Sequence, residues 1–129
     1  MRRGIGSIAV AAALVAAAAA HAQPAAPGRY DGELCVATQA AATPTCGTAD
    51  VDFAASADRV SVRVADIVYR LQLHPTHRLD VVTLHGRMQI DEFDAAYDWV
   101  GTTLRFGDPA KDVRYEVRIG ARRSRPGRT

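Results

Sequence analysis

The chain has 129 residues, with 16 Lys+Arg against 14 Asp+Glu and two cysteines. That length holds one domain, and ten glycines with six prolines are too few for a collagenous or wholly disordered chain. Outside the Ala-rich start, no charge-free apolar run approaches the roughly 18 residues of a spanning helix, so a membrane bundle and a large multi-step enzyme are excluded.

Residues 1–22 read as a secretory signal. Met1-Arg2-Arg3 gives a positive start, Ile5 to Ala20 is apolar or small, and Ala20-His21-Ala22 offers small residues at the two positions a signal peptidase reads. Cleavage is expected before Gln23, delivering the chain to the periplasm or outside the cell. Removing this segment takes Arg2 and Arg3 with it and leaves 14 basic against 14 acidic groups. Arg122, Arg123, Arg125 and Arg128 crowd the C-terminus, so the body between is net acidic. Residues 23–29, with Pro24 and Pro27, read as a flexible leader, 30–120 as a β domain and 121–129 as a disordered basic tail.

The first expected strand is Gly32 to Ala37, with Leu34 and Val36 on one face. Cys35 and Cys46 follow as the chain's two cysteines. In an exported protein an even pair reads as a disulfide. Closing a loop of about 12 residues stabilises a fold by roughly 3 kcal/mol on the chain-entropy model. Their spacing is not that of a redox Cys-x-x-Cys motif, and no second pair completes a zinc site. Ala40-Ala41-Ala42 and Ala54 to Ala57 are each long enough for a helical turn only.

From residue 59 onward the dominant period is two. Val60, Val62 and Val64 alternate, then Ile67, Tyr69, Leu71 and Leu73 alternate on the other parity. The β-branched and tyrosine content favours strand over helix, with a bulge or a corner at Ala65-Asp66. His74-Pro75-Thr76-His77 is a turn, Leu79 to Leu84 a strand, His85-Gly86 a turn, and Met88 to Phe93 and Tyr97 to Val100 further strands. Thr102 to Phe106 and Val113 to Ile119 form a hairpin across the turn residues 107–112. The sum is an all-β domain: a small antiparallel barrel or sandwich of about seven or eight strands with one disulfide.

The candidate chemistry is thin. Ser56, Ser61 and Ser124 lie in no Gly-x-Ser-x-Gly turn, and there is no phosphate loop or dinucleotide fingerprint. No catalytic set and no cofactor are therefore expected, and the chain does not read as an enzyme. His74, His77 and His85 suggest a metal site. If 67–73 and 79–84 form a hairpin, however, His85 lies about 23 Å from the other two. Only His74 and His77 could then share an ion or small ligand, with Asp80 as a third group. Asp91, Glu92, Asp94 and Asp98 form the densest acidic run, but Asp91 and Glu92 point to opposite faces of a strand. They match neither a glycosidase pair nor a calcium loop. Tyr69, Phe93, Tyr97, Trp99, Phe106 and Tyr115 read chiefly as core, and a partly exposed subset could line a ligand groove. Tyr97 and Trp99 share one parity.

Size, export signal, cysteine pair and all-β pattern are together similar in general character to small periplasmic inhibitors such as bacterial lysozyme inhibitors. The resemblance is one of architecture, and it implies non-catalytic binding of a protein or envelope component. Asp91, Glu92, Asp94, Tyr97 and Trp99 are the expected contact residues. The Arg-rich tail suits an anionic headgroup or envelope polysaccharide, and nucleic acid is a poor partner for an exported chain. The alternative is a metal- or small-ligand-binding protein using His74 and His77. A hydrolase using the acidic run is a third reading.

Overall fold

A computed structural model describes residues 26–38 and 43–123. The described residues form eight strands and no helix: β1 (Gly28–Thr38), β2 (Thr45–Phe53), β3 (Arg59–Val64), β4 (Ile67–His74), β5 (Arg78–His85), β6 (Met88–Val100), β7 (Thr103–Asp108) and β8 (Val113–Arg122). Every neighbouring pair is antiparallel, and β1 pairs with β8, so the meander closes into a barrel. Closure leaves no free sheet edge. The proposed signal and most of the basic tail fall outside the described residues, as does the Ala40–Ala42 turn. β1 begins at Gly28, inside the expected leader, and β8 runs to Arg122, two residues past the expected boundary.

Two strands differ from the sequence expectation. β2 carries Gly47 and Ala49 at the inward positions of its first half, and such small residues give little apolar signal. Met88 to Phe93 and Tyr97 to Val100 are one continuous strand, β6, carried through the inward Ala95. The parity change between Val64 and Ile67 is a hairpin turn, with Ala65 in the left-handed region at φ 53°. Ala54 to Ala57 is likewise a turn, between β2 and β3, rather than helical.

The inward positions follow the period-two pattern. Leu34, Val51, Val60, Val62, Leu71, Leu79, Val81, Leu104 and Val117 fill the axis and are buried. An eight-stranded barrel is just wide enough for such side chains to fill it or to hold one small ligand. Gly32 stands where β1 shifts register against β8. A Cβ there would lie 2.7 Å from the Arg118 carbonyl oxygen and 2.9 Å from Val51 Cγ2, so only glycine fits. Cys35 and Cys46 are directly opposed on β1 and β2, Cα to Cα 4.0 Å, and form the expected disulfide.

The two ends of the barrel are built differently. At the near end, where β1 begins, Tyr30 packs edge-on against Phe53 at 5.6 Å, and Phe53 lies 6.3 Å from Trp99. The loops there are tied down. Leu73 N donates to Asp58 O at 2.7 Å, Tyr97 N to His77 O at 2.9 Å, and Arg122 to Pro27 O at 2.7 Å. Partly buried side chains pack against the core at both ends: Tyr97 and Trp99 at the near end, and Val36, Val64, Tyr69, Phe93 and Tyr115 at the far end.

Candidate functional site at the far end of the barrel

Alternation along β6 sorts the expected contact residues. Asp91, Tyr97 and Trp99 share the parity of the inward Phe93 and Ala95, whereas Glu92 and Asp94 face outward. The strand also separates the three inward residues by depth. Asp91 lies toward the far end, while Trp99 packs into the near-end aromatic cluster. Trp99 Nε1 is buried there without a hydrogen-bond partner among the described residues. Tyr97 is held at the near end too, its hydroxyl donating to His74 O at 3.3 Å and its ring 5.9 Å from His77. Outside, Gln89 donates to Glu92 at 3.2 Å and Arg78 to Asp94 at 3.0 Å. Asp94 and Arg78 border a shallow outer depression of about 340 Å³ whose lining includes Gly107 and Arg114. The five residues thus fall into three settings: inward at the far end, inward at the near end, and on the outer wall.

Asp91 is the member whose surroundings are unusual. A carboxylate on the inward face of a barrel strand needs a partner, and Lys111 supplies one. Its Nζ donates to Asp91 Oδ2 at 2.7 Å, reaching in from the turn between β7 and β8. The Glu92 backbone N–H donates to Asp91 Oδ1 at 2.9 Å. The Lys111 hydrogen bond holds the Asp91 carboxyl below its usual range and, reciprocally, Lys111 above its own. The carboxylate keeps 28 % of its surface exposed, so the pair sits at a rim rather than in the interior. Asp108, buried one residue before the turn, accepts from Ala110 N at 3.1 Å and fixes the loop that carries Lys111.

Below this rim lies an aromatic stack. Phe106 and Tyr115 stack at 5.0 Å, Phe93 and Tyr115 at 6.0 Å, and Tyr69 meets Tyr115 edge-on at 5.9 Å. Burial raises the Tyr69 phenol above its ordinary value. The Tyr115 phenol is pushed up to about 12, first by burial and then by Tyr69, Asp108 and Asp91. Gly47 is inward toward the same end of β2, opposite Leu34 and beside Val64, whose Cγ1 would lie 3.8 Å from an added Cβ. The far end of the barrel, called the cup below, thus gathers aromatic rings, two of them phenols, and one ion pair. Chemically, this arrangement can take an apolar ring on the stack and meet its polar end at Asp91 and Lys111.

The histidines take other roles. His74 Nε2 lies 2.9 Å from Asp80 Oδ2, His77 turns toward Tyr97, and His85 sits at the opposite end of the β4–β5 hairpin. The three ligand-type groups that converge among the described residues are Glu33, Cys35 and Cys46, and those two sulfurs are joined. Ser56 donates to Asp58 within the exposed turn between β2 and β3, which is ordinary turn chemistry.

Sequence reasoning singled out Asp91 but not Lys111, and named Tyr69 and Tyr115 only as core with a possible groove. The available signal was a carboxylate on the parity of Phe93 and Ala95. The chain matches no family model, no curated protein and no solved structure. The disulfide is compatible with an exported protein, and among the described residues no helix is long and apolar enough to cross a membrane.

Proposed function

We propose that this chain is an exported, non-catalytic binding module of the periplasm or cell exterior. It takes a small amphipathic group of an envelope component into the far end of the barrel. The observation that supports it is the meeting of Tyr69, Phe93 and Tyr115 with the Asp91–Lys111 pair at one barrel end. The apolar part of the ligand covers aromatic surface that the fold leaves partly exposed, which is favourable at about 25 cal/mol per Å². Its polar end replaces water at the rim. Export in turn rests on the sequence of residues 1–22 and on the disulfide.

The test uses 1-anilinonaphthalene-8-sulfonate as an amphipathic probe, followed by native mass spectrometry after incubation with envelope extract. The unsubstituted protein raises the probe's emission and retains a small bound mass from the extract. Gly47→Leu, which places a side chain inside the cup, removes both while the circular-dichroism spectrum stays that of a β protein. Undiminished binding by Gly47→Leu, or a retained mass that is a protein subunit instead of a small molecule, would overturn this reading.

A further inference from the structure

The outer face of β1 to β4 holds a second arrangement that the cup does not use. Across the sheet at one level, Arg29 lies opposite Asp52, Asp52 opposite Ser61, and Ser61 opposite Arg70. At the next level, Asp31 lies opposite Asp50, Asp50 opposite Arg63, and Arg63 opposite Val68. Cross-strand neighbours of opposite charge normally pair, but here Asp31 and Asp50 are taken elsewhere, and Asp52 makes no ion pair within 4.0 Å among the described residues. Arg123, just past β8, reaches Asp31 Oδ1 at 2.9 Å with Nε and Asp50 Oδ1 at 2.9 Å with Nη2. Its backbone N–H also donates to Arg29 O at 2.7 Å.

Asp50 is therefore committed, and its register partner Arg63 has no ion pair within 4.0 Å among the described residues. The same holds for Arg29 and Arg70. Arg70 faces Ser61 on one side and Val82 on the other, neither of them charged. Arg63 and Arg70 are diagonal neighbours on adjacent strands, about 7–8 Å apart, with Ser61 directly opposite Arg70. These guanidinium groups line a polar groove of about 310 Å³, whose lining also includes Asp52 and Asp66. A second depression of about 450 Å³ shares Asp50, Arg63 and Arg123 with it.

We infer that this groove binds an acidic saccharide, a sugar unit carrying one carboxylate or one phosphate ester. Guanidinium forks match the planar geometry of such oxyanions and pair with them bidentately. The oxyanion sits between Arg63 and Arg70, where it also accepts from the Ser61 hydroxyl. Asp52 and Asp66 select for the sugar itself. A bare anion would leave those carboxylates facing it with no donor between them, whereas sugar hydroxyls supply the donors. A neutral sugar would leave the arginines unpaired.

Nitrogen-15 spectra of the arginine side chains test this, with titrations of glucuronate, glucose 1-phosphate, glucose, acetate and inorganic phosphate at constant ionic strength. Glucuronate or glucose 1-phosphate shifts Arg63 and Arg70 saturably, and whichever is tighter identifies the oxyanion as carboxylate or ester. Arg63→Gln/Arg70→Gln weakens that binding about tenfold or more with the backbone amide spectrum otherwise unchanged. Gly47→Leu leaves it intact, so failure of the cup does not touch this site. Equal shifts from acetate or inorganic phosphate, no saturation with either sugar acid, or undiminished binding by the double variant would overturn the inference.

Discussion

At the near end of the barrel, Tyr30, Phe53 and Trp99 close over the axis and the loops are bonded to one another. At the far end, Tyr69, Phe93 and Tyr115 are partly buried against the core, and the covalent link between β1 and β2 lies toward that end. Both ends are held by packing and hydrogen bonds, and the far end carries a disulfide as well. A partly exposed aromatic surface contributes less to folding than a fully buried one. The disulfide offsets that deficit by restricting the unfolded chain. Surface that is not spent on folding remains available to a ligand, which is the basis on which the proposed site is assigned to the far end.

Substitutions can break this contrast. Leu104→Ala, at a fully buried position beside Trp99, is expected to cost about 2–5 kcal/mol in urea unfolding. Val64→Ala at the far end is expected to cost only about 1 kcal/mol, since that side chain is partly exposed already. Similar costs would mean the two ends are equally packed. Next in size, Cys35→Ala/Cys46→Ala is expected to lose about 3 kcal/mol, read as a lower urea midpoint that matches the unsubstituted protein under reducing conditions. Gly32→Ala is expected to cost about 1–3 kcal/mol by overpacking against Val51 and the β8 backbone.

Titration sharpens the contrast. The folded Tyr115 phenol is raised from 10.0 to about 12, so the unfolded chain loses this proton first as pH rises. Its stabilising contribution is complete below pH 10 and lost as pH climbs through about 12. Tyrosinate absorbance should show an ionisation step near pH 12, and Tyr115→Phe should reduce its amplitude by one tyrosine. The smallest expected effect concerns Asp91, whose lowered carboxyl contributes above the usual carboxylate range and ceases to do so as pH falls through its folded value. Lys111→Met should move the Asp91 carbon-13 titration back toward the ordinary range with little change in global stability.

How far the sequence reveals this molecule depends on side-chain size at inward positions. β8 was legible because Val113, Tyr115, Val117 and Ile119 are large and alternate with charges. β2 was not, because Gly47 and Ala49 stand where a core side chain is expected, and Ala95 similarly concealed the continuity of β6. The disulfide could be read from compartment and count alone. The cup was legible only in part. Asp91 drew notice as one of several acidic groups, but its inward direction depends on the β5–β6 register and the bulge between Thr83 and Leu84. Lys111 comes from 20 residues away, and no periodicity links it to β6. Tyr97 and Trp99 share Asp91's parity yet belong to the near end, because 13 residues of strand carry β6 from one end to the other.

The most direct test of a ligand cup at the far end is a set of intermolecular nuclear Overhauser effects between bound 1-anilinonaphthalene-8-sulfonate and the protein's side chains. Contacts from the probe's rings to Tyr69, Phe93 and Tyr115, lost in Gly47→Leu, are the predicted result. Contacts instead to Met88 and Ile90, which are exposed by 68 % and 51 % at the β5–β6 turn, or to Tyr30 and Trp99 at the near end, would contradict it.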